Sequence, residues 1–187
     1  MKKYLFMIPI VFFILGIINI LFAWLGLICM AIPITMLLKT KKKVFCQRYC
    51  PRVEMFNQAA KINKGKSRKI PKILLHQDAK WMILSYFFIS LIMITMSTIK
   101  VATGATPLLA LRYFIVIPVP FKLPQLINIE APLWTLHFGY RMYSMMMTTV
   151  TLGLILAIVY KPRTWCTVCP ISTLSNEYIE AYRQASR

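Results

Sequence analysis

The chain has 187 residues, of which 58% are hydrophobic and only 15% charged, with a mean hydropathy of +0.63. That composition excludes a soluble globular domain and describes an integral membrane protein whose apolar runs are long enough to span. The 23 lysines and arginines against five acids give a formal net charge of +18. Membrane topology accounts for this excess, and since no recognition motif accompanies it, no nucleic acid partner is expected.

The first apolar run, residues 4–38, carries no charge. As one helix it would be roughly 50 Å long, against a hydrocarbon core about 30 Å thick. It reads as a tight hairpin of two short spans, 4–20 and 22–39. The turn falls between Asn19 and Gly26, where a polar side chain, interfacial Trp24 and a glycine are available. One long tilted helix is the alternative. The run exceeds a signal-peptide core and no small-residue cleavage site follows it, so it reads as retained. Cys29 within it reads as a small hydrophobe without a role. A third span covers residues 81–99 and a fourth covers 141–160, with Gly153 in its middle.

The expected fold is therefore all-α integral membrane, a single membrane domain over residues 1–187 with four transmembrane helices arranged as two hairpins. Lys2, Lys3, the basic residues of 39–80, Lys161, Arg163, Arg183 and Arg187 fall on one side of this layout, and only Lys100, Arg112, Lys122 and Arg141 on the other. The positive-inside rule then puts both termini and segments 40–80 and 161–187 in the cytoplasm of a cell membrane, and segment 100–140 outside.

Two cysteine doublets follow the hairpins: Phe45-Cys46-Gln47-Arg48-Tyr49-Cys50-Pro51 and Trp165-Cys166-Thr167-Val168-Cys169-Pro170. The order span, return span, basic residues, aromatic, Cys, Cys, Pro and polar helix appears twice, which reads as an internal pseudo-repeat. The polar stretches, residues 53–61 and 171–183, read as amphipathic helices with Pro51 and Pro170 near their first turns. Pairing the two units would bring the doublets face to face. Four thiolates are what an iron–sulfur cluster needs, and a proline after the last cysteine is a habit of cluster-binding loops. Cys46, Cys50, Cys166 and Cys169 are therefore the expected ligands to the iron of one cluster, [4Fe-4S] in preference to [2Fe-2S]. The alternatives are a structural or assembly subunit with a four-cysteine zinc site, or a thiol redox pair.

These residues resemble the membrane-bound 4Fe-4S-binding proteins with Cys-x-x-x-Cys-Pro motifs. That group is related to the quinol dehydrogenase membrane subunit of periplasmic nitrate reductase systems and to the membrane regulator of nitrous oxide reduction. The likeness lies in residues 41–52 and 163–174 and in the four-span layout. It implies electron transfer at the cytoplasmic face. Two departures accompany it: Cys166 and Cys169 are one residue closer than the usual spacing, and no ferredoxin-like cysteine run is present in these residues.

The expected function is a membrane-bound iron–sulfur electron-transfer subunit of a larger redox complex, since no acid and base pair, nucleophile triad or phosphate loop is visible. Its expected partners are other redox subunits carrying flavin, haem or iron–sulfur groups. Lys61, Lys64, Lys66, Arg68, Lys69 and Lys72 form a basic stretch that suits anionic lipid, or else docking of an acidic ferredoxin or flavodoxin. His76 gives no signal of its own. Outside, the proline-punctuated segment 103–138 argues against a regular helix, and its run 108–117 is apolar enough to lie in the interface or re-enter. His137, near Tyr140 and Arg141, is placed to meet a quinone head group or haem, or to be an ordinary hydrogen-bonded interfacial histidine. Orientation is testable: a cysteine replacing Lys66 should react with an impermeant maleimide from the cytoplasm, and one replacing Gln125 from outside. The reverse pattern would overturn the assignment.

Overall fold

The structure, a computed structural model, describes residues 4–61, 68–107, 109–114, 117–118, 125–126 and 130–185. Residues 62–67 of the basic stretch singled out above, with Lys64 and Lys66, therefore lie outside the described residues, as do parts of the run 108–117. The chain is mostly helical. In order it forms α1 (Met7–Ile18), a 3-10 turn (Ile20–Trp24), α2 (Leu25–Thr40), a π-helical turn (Phe45–Tyr49), α3 (Pro51–Ala60) and α4 (Lys72–Leu75). Then come α5 (Gln77–Ala102), β1 (Arg112–Tyr113), β2 (Ile117–Pro118), α6 (Leu133–Val159), α7 (Thr164–Val168) and α8 (Pro170–Ala185).

Three helical segments are long and apolar enough to cross a membrane: Ile20–Thr40, Gln77–Ala102 and Leu133–Val159. The charge-free first run breaks where a polar residue interrupts it. Asn19 is extended (φ −153°, ψ 130°) and its side chain accepts the Leu21 N–H at 2.8 Å, ending α1 and opening the 3-10 turn. The 12 residues of α1 rise about 18 Å, short of a full crossing. Hydroxyls within the long helices bond to carbonyls one turn back, as Thr95 does to Leu91 at 2.9 Å and Thr148 to Ser144 at 2.9 Å. Such bonds let polar residues sit in apolar helices without an orphaned donor.

The chain divides into two compact units. Unit 2 comprises Pro9–Cys29 and Phe88–Thr151. Its core is built on Ile20, Ala23, Leu111 and Tyr143. The Tyr143 ring stacks on Phe12 at 6.2 Å, meets Phe13 edge-on at 5.5 Å and donates its hydroxyl to the Phe13 carbonyl at 3.2 Å. Gly139 of α6 is required by a backbone approach, since a Cβ there would stand 2.9 Å from the Ile20 carbonyl oxygen. The proline-punctuated segment contributes a two-residue antiparallel hairpin, Arg112 opposite Pro118 and Tyr113 opposite Ile117.

Unit 1 comprises Met1–Ile8, Met30–Phe87 and Leu152–Arg187. Its core is Phe56 of α3, Ala157 of α6, and Trp165 and Val168 of α7, with Cys169 packed against it. Phe56 is fully buried and lies over Gly153 of α6 so closely that any Cβ at 153 would overlap its ring. A bare backbone on α6 thus makes the seat for α3. Phe56→Ala should cost unit 1 about 3–5 kcal/mol, read as a lower unfolding midpoint in detergent. Gly139→Ala, an overpacking change, should cost unit 2 about 1–3 kcal/mol by the same measurement.

Candidate metal centre

The two cysteine doublets fold into closely similar local forms. Lys41 takes a left-handed backbone (φ 52°) just beyond the end of α2 at Thr40. The chain then makes the π-helical turn that carries Cys46. Cys50 is extended (φ −68°, ψ 111°) and Pro51 opens α3. In the second motif Thr164 ties the chain after α6 by accepting the Lys161 N–H at 3.1 Å and donating to its carbonyl at 2.8 Å. Cys166 lies in α7, Cys169 is extended (φ −60°, ψ 127°), and Pro170 opens α8. The Cys169 carbonyl accepts the Thr173 N–H at 3.0 Å, the first bond of that helix.

Proline suits both places because the first helical residue has no intrahelical acceptor for its N–H, and its fixed φ is already helical. The consequence is chemical. Cys50 and Cys169 each sit at the positive end of a helix dipole, where a negative charge is favoured.

Polar contacts hold α8 beside the first motif. Lys41 Nζ donates to the Tyr182 hydroxyl at 2.6 Å and lies 4.0 Å from the centre of that ring. Lys43 Nζ donates to Asn176 Oδ1, and Gln77 of α5 donates to Glu177 at 3.3 Å.

All four sequence-selected cysteines belong to unit 1, are free and are partly buried. They are near enough for their charges to act on one another. Burial pushes the Cys46 thiol up to about 11, followed by the charges of Cys169 and Cys50, against the opposing charge of Lys43. Burial likewise pushes Cys166 up to about 12, with Cys169, Cys50 and Cys46 adding to the rise and Arg163 opposing it. Cys50 is raised by burial too, though the Val53 and Arg52 amides at the start of α3 and the Arg52 charge work against it.

Among the described residues no three His, Cys, Asp or Glu side chains form a group that could hold a single metal ion. The thiols are neighbours in charge. A cluster spaces its thiolates more widely than one ion does, because iron and sulfide stand between them. Cys46, Cys50, Cys166 and Cys169 are the residues that could hold such a group, and Cys46 and Cys50 open onto a pocket of about 120 Å³ also lined by Leu5, Asn57 and Arg163.

The other sequence candidates fall elsewhere. His137 is in unit 2, 1% exposed, with Nε2 3.2 Å from the Ser97 hydroxyl. Cys29 is also in unit 2, and His76 pairs at the surface with Asp78 at 3.0 Å. Sequence reasoning missed Phe56, whose burial against Gly153 seats the helix that directly follows Cys50. Phe56 is the one aromatic on a ten-residue helix of mixed polarity, which by itself marks no contact.

No family model, no curated protein and no solved structure matches the chain.

The raised thiols make a direct expectation. In metal-free protein Cys46 and Cys166 should alkylate slowly near neutral pH compared with a small-molecule thiol. Their rates should climb as pH approaches about 11 and about 12 respectively. Arg163→Gln removes a charge that favours the thiolate and should slow Cys166 further, while Lys43→Gln should slow Cys46. Mass-spectrometric counting of labelled peptides across a pH series checks both signs.

Proposed function

We propose that the chain is a membrane-bound electron-transfer subunit that holds one iron–sulfur cluster, [4Fe-4S] in type, on Cys46, Cys50, Cys166 and Cys169. The observation that carries the reading is the pair of matching motifs, each a cysteine on a short helical turn followed by a cysteine at a helix start, with the four thiols interacting. The resemblance to membrane-bound 4Fe-4S proteins points the same way. When bound, such a cluster supplies a one-electron centre.

The remaining roles belong to this chain's side chains. The four cysteines bind and must surrender their protons to do so. Lys43, Arg163 and the N-termini of α3 and α8 offset the negative charge that deprotonation creates. Phe56, Trp165 and Val168 form a dry wall next to Cys169, lowering the local dielectric and shielding the site from water.

In this reading α1 joins the three long helices as a fourth apolar element, giving two hairpins in pseudo-repeat with the doublets and both termini on the cytoplasmic side. Electrons then reach or leave the site through other redox subunits. The basic stretch ending at Lys72 is read as facing anionic lipid or an acidic carrier.

Anaerobic purification followed by iron, sulfide and zinc analysis and low-temperature paramagnetic resonance tests the proposal. Parent protein should carry iron and sulfide in equal amounts with a cluster signal on reduction. Serine at any one of Cys46, Cys50, Cys166 or Cys169 should abolish or destabilise it, whereas Cys29→Ser should leave it intact. Stoichiometric zinc without sulfide would replace this reading with the structural-subunit alternative, and full iron and sulfide in Cys166→Ser would refute the shared four-cysteine site.

A further inference from the structure

Unit 2 carries positive charge where neither topology nor pairing explains it. Arg141 lies inside α6, a helix of spanning length, and is only 8% exposed. Arg112 is half-buried on β1, and its backbone N–H donates to Ser144 Oγ at 3.1 Å, three residues along α6 from Arg141. Residues three apart on a helix share a face, so this bond brings Arg112 to the Arg141 side of α6. The two guanidinium charges act on one another. The Nε–H groups of both are buried and meet no acceptor among the described residues. His137 lies one turn before Arg141 on the same helix.

No carboxylate neutralises this pair. Of the chain's five acids only Glu130 belongs to unit 2, and it is exposed and in no ion pair among the described residues. Arginine cannot lose its proton to relieve the burial, as lysine can. An unpaired buried charge is strongly unfavourable, and an ionisable residue inside a spanning helix marks a functional site by default. The missing partner is therefore an anion. Two guanidinium forks call for an acceptor with several oxygens, which a phosphoryl group has and a halide lacks.

We propose that Arg112 and Arg141 form a buried oxyanion site in unit 2 that takes a phosphoryl group, either the phosphodiester of an anionic lipid headgroup or free phosphate. The site is independent of the cysteine motifs, which lie in the other unit.

The full-length protein as isolated, exchanged into a neutral detergent free of lipid, can be titrated with short-chain phosphatidylglycerol, inorganic phosphate or phosphatidylcholine at fixed ionic strength while its unfolding temperature is followed. Phosphatidylglycerol or phosphate should give a saturable upward shift that phosphatidylcholine does not. Half-saturation at least tenfold lower for phosphatidylglycerol identifies a headgroup, and equal half-saturation identifies the free ion. Arg112→Gln, at a half-buried position on β1, should raise the half-saturating concentration about tenfold, the effect of losing one charge-assisted bond. Arg141→Lys should weaken binding as well, since it keeps the charge but loses the fork. Absence of a saturable shift in the parent, an equal shift with phosphatidylcholine, or unaltered curves in both variants would overturn the proposal.

Discussion

The site in unit 1 depends on one aromatic ring lying over one bare stretch of backbone. Phe56 is fully buried as the one aromatic of its helix, and Gly153 leaves room for its ring against α6. The same core continues through Ala157 to Trp165, Val168 and Cys169. Chain order explains why this matters. Cys50 immediately precedes α3, and α6 leads directly into the turn that carries Cys166. Fixing Phe56 on α6 therefore fixes the start of the first motif against the start of the second. Close packing does this work, and it forfeits contact energy steeply when a gap opens; the Lys41–Tyr182 and Lys43–Asn176 contacts add to it.

Charge sets the second condition. Burial makes Cys46, Cys50 and Cys166 resist ionising, with Cys46 raised to about 11 and Cys166 to about 12. Near neutral pH those two are protonated when nothing is bound, so no cluster of unpaired thiolates has to be tolerated in the empty state. In the proposed reading a bound cation would reverse the preference by supplying positive charge to the thiolates, with protons leaving as it enters. Lys43 and Arg163 reduce this cost without removing it, because each opposes a shift that burial dominates.

Much of this was legible in the sequence, for reasons that differ by element. The long apolar runs announced helices because lipid admits few other solutions, and the break at Asn19 fell where a polar side chain could offer the backbone a local acceptor. Pro51 and Pro170 marked the starts of α3 and α8 because proline's geometry fits a first helical turn. Helix lengths were less readable. α5 continues past its apolar stretch to Gln77, since a helix does not stop where hydrophobicity does, and α6 begins at Leu133, eight residues before the expected start, inside the segment whose prolines argued against a regular helix. The Phe56 and Gly153 pair was not readable, because the two are 97 positions apart and neither breaks a local pattern. The same holds for Arg112 meeting Arg141, where a loop residue is brought to a helix by a backbone bond to Ser144.

The arginines also bear on how the positive-inside rule should be applied to this chain. The rule concerns basic residues near the ends of spans that remain in water, and it gains force from charges free to interact with lipid headgroups. Arg141 is not of that kind: it is 8% exposed, nine residues into a spanning helix counting from Leu133. Arg112 is held by its own backbone to the same helix. Counting either as a loop charge on the outer side understates the asymmetry on which the topology argument rests. Once both are assigned to a buried site, the outer basic residues that remain are Lys100 and Lys122, against a dense set around the cysteine motifs.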